Sequence, residues 1–199
     1  MRLFRTALAT ACLVSVVALS PDVRANDLAA EAELQFEIGA DLYGKGDFRG
    51  ALEHWLASNR LAPNKNVVFN IARTYEQLKQ PADAYRYYQR ALEGESDAGA
   101  QKRIQEALAR IRPLVSVVRV VSSPPGATVY LDRKDLGARG QTPLVLAVPA
   151  GKYTFLGELA GHESGKTEAV ELRQGGETEV RIPLVPIYGT LVVGGEPGA

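Results

Sequence analysis

Cysteine, methionine and tryptophan each occur once in the 199 residues, and histidine twice. That scarcity leaves no room for a disulfide framework and little for a zinc site, which draws on several Cys or His side chains. Charge of one sign is not in surplus either, since 23 Lys and Arg balance 23 Asp and Glu. Without a basic excess to neutralise phosphates, no nucleic acid partner is expected. The longest apolar run, Ala7 to Leu19, has 13 residues, short of the roughly 20 that cross a bilayer. What is abundant is ordinary core material: 46% of residues are hydrophobic and 23% charged, a balance that buries cores and argues against global disorder.

The short apolar run has the layout of a secretory leader. Arg2 and Arg5 precede it, Pro21 follows it and breaks the helix, and Val23-Arg24-Ala25 places small residues at −3 and −1 of a cleavage point. Residues 1–25 are therefore expected to direct export across the inner membrane of a bacterium, to the periplasm or cell surface. An uncleaved anchor and a lipoprotein modified at Cys12 are the competing readings. Cleavage after Ala25 removes the one cysteine and leaves a slight acidic excess.

From Asn26 to Arg112 the periodicity is helical. Leu34, Ile38 and Leu42 recur every four residues, one face of a helix. Breaks at Gly44-Lys45-Gly46-Asp47, Ala62-Pro63-Asn64 and Lys79-Gln80-Pro81 divide the stretch into helix-length segments. At an offset of 33, Ile38-Gly39-x-x-Leu42 falls on Ile71-Ala72-x-x-Tyr75, Ala51 on Ala84, Trp55 on Tyr88 and Ser58 on Ala91. Small residues let backbones approach and the large ones fill the space between hairpins. Over residues 34–95 this pattern resembles the tetratricopeptide repeat, although the usual early tryptophan is missing and Ser58 stands for alanine. Two repeats leave terminal faces exposed, and Gln101 to Arg112, with Ile104, Leu108 and Ile111 in line, is expected to cap them.

After Pro113 the period falls to two. Six β-rich stretches, at 115–120, 127–131, 144–148, 153–159, 167–172 and 178–184, are separated by Gly, Pro and Asp turns. Within them Ser122-Ser123-Pro124-Pro125-Gly126-Ala127-x-Val129-Tyr130-Leu131-Asp132, Gly140-x-Thr142-Pro143, Val148-Pro149-Ala150-Gly151-Lys152-Tyr153 and Gly161-His162 resemble a PEGA domain, with proline where the family name has glutamate. Gly189 to Ala199 repeats the form of Val117 to Ala127, so 187–199 is expected to begin a second, truncated β-domain. The predicted fold is α+β in two domains: antiparallel helical hairpins at 26–112, a tetratricopeptide-like solenoid, then a small antiparallel β-sandwich at 113–186.

Motifs that suggest chemistry have simpler readings. Ala160-Gly-His-Glu-Ser-Gly165-Lys166-Thr167 matches a loose phosphate loop, but strand-like Glu168 to Leu172 follows where a helix is required; a hairpin and no nucleotide are expected. A triad at His54 or His162 would need a positioned serine and acid, and no nucleophile-elbow motif occurs, so structural or surface roles are expected. Glu93, Glu95 and Asp97 lack the calcium-loop spacing and read as solvated. Among Tyr75, Tyr85, Tyr87 and Tyr88, packing is the expected role, with Tyr87 the one most open to solvent.

The resemblance to tetratricopeptide repeats implies a partner-binding inner face, carried here by Phe36, Ala40, Tyr43 and Gly44 and by Asn66, Phe69, Arg73, Glu76 and Gln77. Tyr43, Asn66, Phe69, Arg73 and Gln77 are the expected partner-binding residues, their polar members suited to a peptide backbone or carboxylate. The expectation is a secreted, non-enzymatic envelope scaffold that binds a protein or peptide partner and needs no cofactor or metal. Two alternatives stand beside it. One is cell-wall or glycan contact through the sandwich, to be judged from Tyr130, Tyr153 and Phe155. The other is the N-terminal part of a larger envelope protein whose activity lies beyond residue 199.

Overall fold

The computed structural model describes residues 21–189, with side chains from residue 26 onward. Of the expected leader, residues 1–20 lie outside the described residues, as do residues 190–199 of the second β-motif. Pro21 opens the first helix, a position that proline's fixed φ suits, and the expected cleavage point after Ala25 falls inside that helix.

Among the described residues five helices come first: α1 (Pro21–Gly44), α2 (Phe48–Leu61), α3 (Lys65–Gln77), α4 (Pro81–Leu92) and α5 (Ala98–Ile111). Their ends follow from local chemistry. The carboxylate of Asp47 accepts from the Gly50 N–H, Asn64 from Asn66 and Asp97 from Ala100, each occupying an otherwise orphaned donor of a first turn. Pro81 starts α4. Each helix packs on the next along the chain, giving two hairpins and a fifth helix against α4. The four small residues of the 33-residue pattern lie in the contacts: Gly39 is buried and Ala51, Ala72 and Ala84 are fully so. A Cβ on Gly39 would come within 2.6 Å of the Trp55 ring, whose Nε1 donates to the Phe36 carbonyl at 3.1 Å.

The remaining described residues form nine short strands in three sheets. β1 (Ser116–Ser122) lies between β4 (Leu144–Val148) and β9 (Glu177–Ile182); β2 (Thr128–Leu131) and β6 (Phe155–Glu158) lie between β3 (Gly140–Gln141) and β7 (Gly165–Lys166); β5 (Gly151–Tyr153) pairs with β8 (Val170–Leu172). The chain is thus α+β, helices then sheets. Val118, Val120, Val129, Leu131, Phe155, Leu172, Val180 and Ile182 form the core between the sheets. One pairing departs from the expected antiparallel pattern: β1 and β9 run parallel, Val117 beside Glu177 through Ser122 beside Ile182. The turn before β9 is anchored at the start of β1, Gly175 donating to the Val115 carbonyl and Val117 to that of Gly176. β9 therefore sets out in the same direction as β1.

The two parts are joined by more than the chain. Val115 and Val117 belong to the helical core, with Ala147 of β4 packed against it. Arg112 donates to the Gly175 carbonyl and pairs with Glu177.

Candidate partner-binding cleft

α3 presents Phe69, Arg73, Glu76 and Gln77 on successive turns, and α5 presents Arg103, Ala107 and Arg110 at helical spacing. These side chains and Tyr88 of α4 surround a shallow cleft of about 190 Å³. Its electrostatic centre is Glu76, which accepts from Arg110 Nε at 2.8 Å, Arg110 Nη2 at 3.0 Å and the Tyr88 hydroxyl at 3.0 Å. The Arg110 hydrogen bonds hold the Glu76 carboxyl below its ordinary value of 4.5, against the opposing effect of burial. Burial, and after it the Glu76 charge, pushes the Tyr88 hydroxyl well above the usual tyrosine value. A depressed carboxyl stabilises the fold above its unfolded-state value and loses that contribution as pH falls through its folded one. The midpoint of urea unfolding is therefore expected to fall with pH below 4.5. In Glu76→Gln the decline over the same interval should be smaller; an unchanged pH profile would show that this carboxyl does not contribute.

Arg73 and Arg103 make no ion pair with a described carboxylate. The Arg73 guanidinium lies 5.2 Å from the centre of the Tyr43 ring, which in turn packs 5.2 Å from Phe48 and 5.4 Å from Trp55. Three arginines and one committed carboxylate give the cleft a net positive charge, with Phe69 providing an aromatic wall 5.6 Å from Tyr88. This combination is suited to a carboxylate beside an apolar group.

Of the five residues singled out from sequence, Phe69, Arg73 and Gln77 line the cleft, and Tyr43 joins it through Arg73. Asn66 does not. It is exposed in the first turn of α3, where its N–H caps onto Asn64. Phe36 packs against Trp55 at 6.4 Å, while Ala40 and Gly44 are exposed. Sequence reasoning missed Arg103 and Arg110 because α5 read as a cap with one apolar face; the spacing of 103, 107 and 110 was the available signal. Two further expectations need correction. Tyr87 is buried, enclosed by Tyr75 at 5.3 Å and by the guanidinium groups of Arg86 and Arg90. Glu95 is also buried, receiving Lys65 Nζ at 2.7 Å and the Asp97 N–H at 3.0 Å.

In the β part the phosphate-loop lookalike is a hairpin: Gly165 and Lys166 form β7, antiparallel to β6, and the next element is strand β8. His54 Nδ1 is 2.7 Å from Gln35 Oε1, and His162 Nδ1 is 3.2 Å from the Ala160 carbonyl. Tyr130, Tyr153 and Phe155 do not form one exposed face, since Tyr153 packs against the same core as Phe155. Leu131 pairs with Phe155 and Tyr130 with Leu156, so Phe155 points into the core while Tyr130 points away from it and donates to Glu158. Tyr153 lies in the separate β5–β8 sheet and donates to the Pro149 carbonyl.

The glycine- and proline-rich segments of the β part meet at one buried side chain. Thr142 Oγ1 accepts from the N–H groups of Gly126 at 3.1 Å and Ala127 at 3.0 Å. It lies 2.6 Å from Ser122 Oγ, which donates to the Pro124 carbonyl. The backbone of Thr142 completes the clasp, its carbonyl accepting from Gly126 and its N–H donating to Ala127. Residues 115–187 match the PEGA domain. The clasp is thus what ties the Pro-Pro-Gly-Ala turn of this PEGA domain to its Gly-x-Thr-Pro segment. No curated protein is similar to the chain. No described helix is long and apolar enough to cross a membrane.

Proposed function

We propose that the protein is an exported envelope component whose helical array binds an acidic segment of a partner protein, with the PEGA domain as a spacer or surface module. The observation that carries this reading is the pair of arginines, Arg73 and Arg103, that meet no described carboxylate beside the aromatic wall of the cleft. A carboxylate there gains charge-assisted hydrogen bonds, and Tyr43 stacked on Arg73 holds the guanidinium in place. The PEGA domain supports an envelope setting, and the leader-like residues 1–25 agree with it.

The test is affinity capture from bacterial envelope extract on the immobilised chain, beside an Arg73→Ala/Gln77→Ala/Arg103→Ala variant with the parental circular dichroism. Partner recovery is expected to fall at least about tenfold in the variant, about 1.4 kcal/mol of lost affinity. Equal recovery on both chains would overturn the reading.

A further inference from the structure

A larger groove of about 960 Å³ lies away from the cleft, between α4 and the PEGA domain. Its floor is β4, all five residues of which line it. β4 is an edge strand. β1 is its one strand neighbour, and its outer N–H and C=O groups have no backbone partner among the described residues. Exposed edges of this kind are usually blunted by charge, proline or a covering element; here α4 packs against β4 and takes Ala147 onto the helical core, while the strand itself reads Leu-Val-Leu-Ala-Val, with no charge or proline. Val145 is 46% exposed, and Leu136 on the opposite wall is 55% exposed. Leu144 and Leu146 belong to the apolar packing between the sheets, so the groove opens onto the margin of the core.

Basic residues outnumber acidic ones around this edge, three to two, and one of the three, Arg86, is paired with Asp83. Arg86 and Arg90 stand on the α4 wall and Arg139 on the other. Arg90 and Arg139 make no described ion pair, and both α4 guanidinium groups lie within 5.4 Å of the centre of the Tyr87 ring, held by cation–π contact. Of the two acidic residues in the groove, Glu93 and Asp132, the second is committed to the Thr154 N–H.

We propose that the β4 edge receives an extended strand from a partner protein, with alternating apolar side chains and flanking carboxylates. Five paired residues span about 17 Å. Backbone hydrogen bonds to β4 supply affinity, apolar side chains cover Val145 and the core margin, and carboxylates meet Arg90 and Arg139.

The probe is a fluorescent peptide of alternating valine and threonine with aspartates at both ends, titrated into the full chain by anisotropy. Saturable binding is expected, at least about tenfold tighter than for the lysine-flanked peptide or for one N-methylated at alternate amides. Arg90→Glu/Arg139→Glu should weaken it about tenfold, while Arg73→Ala/Arg103→Ala, which alters the other cleft, should leave it unchanged. Absence of saturation, equal binding of the N-methylated peptide, or insensitivity to the groove charge reversal would each overturn the proposal. So would loss of binding in the cleft variant. A dimer in sedimentation that the peptide dissociates would assign the edge to a second copy of this chain instead.

Discussion

Gly165→Ala is expected to unfold the β part of the chain in conditions where the parent remains folded. A Cβ at this position would stand 2.0 Å from the carbonyl oxygen of Pro183 and 2.8 Å from Ile182 Cγ2. The obstruction is backbone, so no rotamer change relieves it. The end of β9 would have to retreat and draw Ile182, which is 1% exposed, out of the core. Overpacked cores in which side chains can yield lose about 1–3 kcal/mol, and a fixed backbone obstruction should exceed about 3 kcal/mol. Lys166→Ala, at the exposed neighbouring position, is the control and should stay within about 0.5 kcal/mol of the parent. The measurement is urea unfolding followed by the β-sheet circular dichroism signal, and coincident curves for parent and Gly165→Ala would refute the packing account.

Thr142→Val should cost about 2–3 kcal/mol, although it preserves shape and volume. The substitution strips the acceptor from the Ala127 N–H, which is buried with its residue fully inaccessible, and removes the partner of Ser122 Oγ. Buried donors left unpaired carry their full desolvation penalty, whereas the fold gains little from the added methyl. Thr142→Ser keeps the hydroxyl and loses one methyl, about 1 kcal/mol. The ordering parent, serine, valine is the diagnostic result in thermal unfolding. Valine as stable as serine would show that the Oγ1 hydrogen bonds do not hold the Pro-Pro-Gly-Ala turn.

The helical half was legible wherever a residue's role depended on its own size or on its immediate neighbours. Gly39, Ala51, Ala72 and Ala84 could be read as contact positions because a side chain of that size repeats where two helices must touch, and all four are buried. The turn at Gly44 to Asp47 was readable because a capping carboxylate acts over three residues. Tyr87 was not. Its burial depends on Tyr75 from another helix and on two arginines of its own helix folding over the ring. The cleft was half visible for the same reason: Phe69, Arg73 and Gln77 share one helix face, but Arg103 and Arg110 become their neighbours only when α5 docks.

In the β part the alternation located six strands and missed β3, β5 and β7, of two or three residues each and too short to show a period. Neighbour and direction were beyond it. Parallel pairing of β1 with β9 arises from the anchoring of Gly175 and Gly176 on the start of β1, a contact about sixty residues apart in sequence. Thr142 was visible as part of a motif, but its hydroxyl's three neighbours were not.

The direction of β9 matters if the molecule is placed under tension. Because β1 and β9 run the same way, a pull on α5 and on the chain following Ile182 draws the two strands lengthwise past each other. The six registered pairs from Val117–Glu177 to Ser122–Ile182 then carry the load together in shear, instead of parting one after another as in a peeled hairpin.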